Sequence, residues 1–325
     1  MKRFFLALLG LLAALATANA QVESVFFEAR GGVEMKGGQP GFFGDHLNLH
    51  VKGKLSPALS YELRHRFAKQ QYDPQNILNA TDKLMLTWDI SPRWSFTVGK
   101  QPVIVGGYEF DDVPVDQYFW NDFCNTIWQV YALGGLIVYK PSENQQFMLQ
   151  VTQSLEHMGH ADVFHGALVW QGRIAPWWKT LWSVNLMDDP YRHMMGYLAS
   201  GNRFEAGPFA LELDLMYRRS LVQKGRAGLD GSVVARADFS IGKQWLVFAQ
   251  VGGDTNDASN VDPDGIAYDL TVVPGTSYFY GGGGVEFYPL GNQDLRVFAL
   301  AWANNRQREL NARLGVVFRL YLFRR

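Results

Sequence analysis

A two-residue alternation of apolar and polar side chains recurs along most of this chain and limits what it can fold into. Leu47, Leu49, Val51 and Leu55 are apolar, while Asn48, His50, Lys52 and Lys54 fall between them. Successive side chains of a strand point to opposite faces, so this spacing gives one apolar face and one wet face. Leu59, Tyr61 and Leu63 repeat it against Ser60, Glu62, Arg64 and Arg66. Similar alternation marks Leu84 to Ile90, Trp94 to Val98, Phe147 to Val151, Phe209 to Tyr217, Val233 to Ile241, Trp245 to Val251 and Leu310 to Leu322. The runs predict about sixteen strands, an even number of the kind single-chain bacterial barrels use.

A soluble sandwich would also alternate, so the connections have to discriminate. Long stretches at Gly31 to Asp45, Lys69 to Ala80, Gln101 to Thr126, Ser154 to Val163, Arg219 to Leu229 and Gly253 to Gly275 alternate with short links. The short ones are Ser56-Pro57, Ser91-Pro92, Pro141 to Asn144, Ala175-Pro176, Gly242-Lys243 and Pro289 to Asn292, all built from turn residues. Long outer loops and short inner turns are the pattern of an outer-membrane barrel. The longest apolar run beyond the N-terminal segment, Tyr131 to Tyr139, falls well short of the roughly 18 to 20 residues a spanning helix needs. Only a closed barrel satisfies its backbone groups in lipid without such helices. Trp94, Trp177, Trp178 and Trp245 follow short turns, while Tyr139 and Tyr288 precede them, which predicts an aromatic girdle at one rim. The expected fold is therefore all-β: a transmembrane antiparallel barrel, with its third outer loop folded into the lumen. No room remains for a plug domain.

Lys2 and Arg3 precede an apolar stretch from Phe4 to about Ala16, which ends in the small-residue site Ala18-Asn19-Ala20. This predicts a secretory signal over residues 1–20, cleaved before Gln21, with the barrel over 21–325. No cysteine follows the cut, so no lipid anchor is expected. The net charge of −1 becomes −3 once Lys2 and Arg3 are removed, which offers nothing to nucleic acid. The lone Cys124 excludes an intrachain disulfide.

The lumen should carry the chemistry. The longest loop, Gln101 to Thr126, holds Glu109, Asp111, Asp112, Asp116 and Asp122 among Tyr108, Phe110, Tyr118, Phe119 and Trp120. Aromatics are costly to leave in water. The following strand is also apolar on its lumen side, at Val130, Ala132, Gly134, Leu136 and Val138. Both features predict an inward-folded constriction bearing Glu109, Asp111, Asp112, Asp116 and Tyr118. Cations cluster elsewhere: Lys52, Lys54, Arg64, Arg66 and Lys83 on the wet faces of predicted strands two to four, and Lys100 at the end of strand five. Closure brings Arg313 and Arg319 of the last strand beside them, making one basic arc that faces the acidic loop. The wet faces also carry Glu62, Asp89, Glu212, Asp214 and Asp238.

Val98-Gly99-Lys100-Gln101-Pro102, ahead of Gly106-Gly107-Tyr108-Glu109, resembles the strand and third-loop start of the phosphate-selective porin O and P family. Tyr280 to Leu290, followed by Leu295-Arg296-Val297, is a second likeness. The resemblance implies a sixteen-stranded, trimeric outer-membrane channel. Its partners would be outer-membrane lipid and lipopolysaccharide, and it would pass small hydrophilic solutes or ions, including anions such as phosphate, without cofactor or metal. The rival readings are an outer-membrane barrel hydrolase, for which His157, His160 and His165 would be the metal candidates, and a structural or adhesion barrel without a pore.

Overall fold

The computed structural model describes residues 21–67, 80–111, 113–127, 131–155, 162–223, 230–307 and 309–325. Its first eight strands are β1 (Gln21–Lys36), β2 (Gln39–Ser56), β3 (Leu59–Arg66), β4 (Thr81–Ser91), β5 (Trp94–Pro102), β6 (Tyr131–Ser142), β7 (Gln145–Gln153) and β8 (Phe164–Ala175). The second eight are β9 (Trp178–Met187), β10 (Met195–Ala206), β11 (Phe209–Ser220), β12 (Gly231–Ile241), β13 (Trp245–Thr255), β14 (Ser277–Phe287), β15 (Leu295–Asn304) and β16 (Asn311–Arg324). One short helix, α1 (Asp122–Thr126), lies in the connection after β5 and is capped by Asn121, whose side chain accepts from the Cys124 N–H.

Each strand pairs antiparallel with its sequence neighbours, and β1 pairs with β16 from Ser24 opposite Arg324 to Met35 opposite Ala312, which closes the barrel. Closure leaves no sheet edge, so lipid meets no unpaired backbone group. The expected long outer loop at Gly31 to Asp45 is a correction. There β1 and β2 continue to a two-residue turn, Gly37-Gly38, with φ of 56° and 73°. Both residues sit in the left-handed region that a tight hairpin of this hand requires, and glycine enters it without a Cβ clash.

The two faces invert the order of a soluble protein. On the outside, Leu168, Leu198, Val184 and Val251 are each more than half exposed. On the inside, Gln150, Asn185, Asp214 and Arg218 are buried. An apolar exterior around a polar interior is what a spanning barrel presents to lipid. This places the chain in the outer membrane.

Aromatics gather at the short-turn rim: Trp94 stacks on Tyr139 at 4.4 Å, Trp178 on Phe204 at 5.8 Å, and Trp245 lies 4.5 Å from Phe287. The indole N–H groups of Trp178 and Trp182 both donate to Asn202 on this outer surface. Tyr288 is the exception to the predicted girdle. It lies on the same parity as the buried Glu286 and donates its hydroxyl to that carboxylate, so it turns inward.

Leu168→Arg, in the middle of β8 on the outer face, should destabilise the folded barrel by about 2–4 kcal/mol, because the charge meets hydrocarbon. Reversible urea unfolding from lipid vesicles measures this, and an unchanged midpoint would show that the face is not in lipid.

Candidate functional site

The connection after β5 carries the predicted constriction residues. Its described residues touch the inner wall from β6 round to β15, and also β1. Near its start, the Val105 carbonyl accepts from Ser183 at 2.7 Å and from Asn185 at 2.9 Å, both on β9. Gly106 and Gly107 follow with φ of 87° and 115°. A Cβ on Gly106 would overlap Ser183 Oγ, and one on Gly107 would come 2.8 Å from Asp214 Oδ2. Glycine is therefore required here twice over, by backbone conformation and by close approach to the wall.

Wall carboxylates then hold the backbone. Asp214 on β11 accepts the N–H of Glu109 at 2.6 Å and that of Phe110 at 3.3 Å. Asp254 on β13 accepts the N–H of Asp122 at 2.5 Å. Wall arginines take the carbonyls: Arg30 on β1 donates to Val115 at 2.9 Å and Gln117 at 2.7 Å, and Arg296 on β15 donates to Val115 at 3.2 Å. Hydrogen bonds to charged partners are roughly twice as strong as neutral ones. Two apolar contacts complete the docking. Ile104 and Tyr108 pack on Val138, Met148, Val169 and Leu181, the apolar inner patch that begins on β6. Tyr118 and Phe119 join Phe248, Tyr280, Phe298 and Leu300 on the opposite wall.

The predicted acids have separate roles. Glu109 pairs with Arg236 at 3.6 Å, and Asp116 with Arg296 at 2.6 Å. Asp111 does not face the basic arc. Its carboxylate accepts the N–H groups of Val105 and Gly106 at 3.0 and 2.8 Å, pinning the loop to itself. Burial outweighs these bonds and pushes its carboxyl up to about 7. Asp112 lies outside the described residues, as do Val130, His157 and His160. His165 is buried between Thr152 and Asn185.

Most residues of the expected basic arc are charge-paired. Lys52 and Lys83 share Glu62, Arg64 and Arg66 share Asp82, Lys54 meets Glu23, and Arg319 meets Glu28. Arg313 pairs with Glu34 at 2.9 Å and approaches Asp45, which is also the partner of Arg30. In these pairs eight bases share six carboxylates, leaving a modest positive excess in place of a dense ladder. Lys100 sits at the edge of the arc, within electrostatic reach of Asp82 and Arg66. It pairs across with Leu84 and Leu133, both exposed on the outer face, so its register position is on the outer side. The alternation of Trp94, Phe96 and Val98, read two residues further, would have placed it there.

The residues missed from the sequence are Arg30, Ser183, Asn185, Arg236, Asp254 and Arg296. All lie on inward parity of their strands, and that parity was the available signal. Nothing local reveals which of them meets a loop that departs from a distant strand. Below the loop, a polar cavity of about 510 Å³ is lined by Glu109, Asp116, Arg203, Glu212, Arg236, Glu286 and Arg296. Above it, at the long-loop end, a second cavity of about 820 Å³ opens.

The family phosphate-selective porin O and P matches this chain over residues 45–180, a stretch that contains Val98 to Pro102 and Gly106 to Glu109 but not the second likeness near Tyr280. No curated protein matches the sequence. Among solved structures, OmpF of Salmonella typhi is similar at a TM-score of 0.63 and 11% identity, covering 93% of this chain and 97% of its own. The anion-selective porin of Comamonas acidovorans aligns at 0.62 and 9%, covering 93% and 100%. The trimer form of OmpT from Vibrio cholerae aligns at 0.60 and 10%, covering 93% and 99%. At these identities the likeness establishes the porin fold.

Two outcomes follow for the loop. Because the Asp111 carboxyl sits near 7 when docked, above its ordinary 3.8, docking is linked to proton uptake. The docked state is favoured at low pH and loses that support as pH rises through about 7, so current noise from loop excursions should grow between about pH 5 and pH 8. Asp111→Asn should flatten this dependence, and noise that falls with pH would contradict the assignment. Gly106→Ala should loosen the loop by roughly 1–3 kcal/mol, from strain and overlap together. Faster proteolysis of the loop in the folded barrel would register it, and an unchanged rate would place Gly106 away from Ser183.

Proposed function

We propose that this chain is a passive outer-membrane porin for small hydrophilic solutes and ions, with the loop after β5 as its constriction. The observation that carries the reading is a closed sixteen-stranded barrel with an apolar exterior and a polar inner wall, to which one connection is tied at β1, β9, β11, β12, β13 and β15. A barrel of this strand number is wide enough for a water-filled lumen, so what narrows it sets permeation. The loop supplies bulk, and the paired charges around it supply a field across the opening. That field is weakly positive on the β1 to β4 side, which supports a mild preference for anions and argues against strict phosphate selectivity.

The proposal includes cleavage of residues 1–20 and assembly as a homotrimer in outer-membrane lipid and lipopolysaccharide. The basic Lys2-Arg3 start, the apolar stretch after it and the Ala18-Asn19-Ala20 site support the first part, and the described trimer form of the Vibrio cholerae protein supports the second.

Planar-bilayer recording tests the function. Deletion of the loop between Gly107 and Asn121 should raise single-channel conductance, since the narrowest section sets the resistance. Arg64→Glu with Arg66→Glu should move the reversal potential in a salt gradient toward cations, because two positive charges beside Asp82 would become negative. Absence of channels in the parent protein would overturn the porin reading. Unchanged conductance and reversal potential in the two variants would remove the loop and the arc from the permeation path.

A further inference from the structure

The cavity of about 820 Å³ above the docked loop has a composition that passive ion flow does not require. Phe43, Tyr278 and Trp302 line it as half-buried rings resting on the Tyr118, Phe119, Tyr280 and Phe298 cluster, and Trp120 lines it from the neighbouring cluster. Arginines brace these rings: Arg306 lies 4.4 Å over Tyr278, and Arg313 lies 4.7 Å over Phe43 and 5.5 Å from Trp302. Each of the arginines is also paired. Arg306 holds Asp122 at 2.7 and 2.5 Å, Arg313 holds Glu34 at 2.9 Å, and Arg30 holds Asp45 through two bonds of 2.8 Å.

These pairings decide the class of ligand. An anion would have to displace carboxylates that already occupy the guanidinium forks. A hydroxyl group can accept from a guanidinium and donate to its carboxylate at once, leaving the pair intact. Tyr278 and Trp302 each have one ring face beside a guanidinium, and the apolar surface they still expose to the cavity suits the C–H face of a pyranose ring. The volume lies within the roughly 300–1,000 Å³ usual for small-molecule sites. We propose that this outer vestibule binds neutral saccharides, with Trp302 and Tyr278 as stacking surfaces and the Arg313–Glu34 and Arg306–Asp122 pairs as hydroxyl partners. The proposal rests on the porin reading, which puts the cavity in the permeation path and makes it a selectivity site for hydroxyl-rich rings.

The test adds maltotriose to the long-loop side of single channels in a planar bilayer. Saturable block of the ion current is expected, while sodium phosphate at matched ionic strength gives none. Trp302→Ala should raise the half-blocking concentration about tenfold, as loss of one stacked ring predicts. Trp302→Phe should retain most of the block, and Glu34→Gln should weaken it without altering a ring. If Trp302→Ala fails to fold, as judged by heat-modifiable gel mobility, the other two variants decide the matter. Open channels with neither maltotriose block nor a tryptophan fluorescence change would overturn the saccharide site while leaving the porin reading intact. Block by phosphate alone would overturn it in favour of an anion site. If the parent protein forms no channels, the porin reading fails, and maltotriose titration of tryptophan fluorescence in the folded, detergent-solubilised protein decides the site separately.

Discussion

Backbone hydrogen bonding in hydrocarbon is the constraint on which the rest of this structure depends. A strand in lipid with an open edge leaves donors and acceptors that no water can satisfy. The pairing of β1 with β16 removes that edge, and it fixes everything downstream. With sixteen strands the wall encloses a wide lumen. Period two then sends every second side chain into that lumen, which must be wet or filled. This chain does both, with cavities on either side of the connection after β5, whose described residues bond to side chains of β1, β9, β11, β13 and β15.

The loop is held by a division of labour among wall charges. Carboxylates at Asp214 and Asp254 accept its amide groups, while Arg30 and Arg296 donate to its carbonyls. A loop anchored this way needs no regular structure of its own beyond α1, because the wall supplies the partners that helix or sheet would otherwise provide. The same economy shapes the electrostatics. Acids placed on wet faces serve as partners for neighbouring bases or as loop anchors, so the lumen is less positive than its arginine and lysine content suggests. Glu62 and Asp82 show this on the β1 to β4 side, each accepting two cations.

Much of the architecture was legible in the sequence because its determinants are local. Alternation places Leu84, Leu86 and Trp88 outward without knowledge of any neighbour, and turn residues mark the short connections. Reading failed where locality failed. Gly31 to Asp45 has too many glycines to alternate cleanly, so a continuing hairpin looked like a loop, and only the φ values of Gly37 and Gly38 reveal the turn. Tyr288 matched an interfacial anchor by composition and position, yet its parity with Glu286 turned it toward the lumen. Lys100 lies within electrostatic reach of Asp82 and Arg66, while its register position falls beside the outward-facing Leu84, a split that its place along the chain does not show. The site was the least legible part. The bonds from Asp214 to Glu109 and from Arg296 to Val115 join residues 105 and 181 positions apart, and no pattern in the chain encodes such meetings.

Amide hydrogen exchange in lipid-embedded protein tests most directly whether wall carboxylates hold the loop across the lumen. The amides of Glu109, Phe110 and Asp122 should exchange slowly despite lying outside any strand, and Asp214→Ala should release the first two while leaving Asp122 protected. Rapid exchange of all three in the parent protein, or protection that survives loss of the Asp214 carboxylate, would contradict the account.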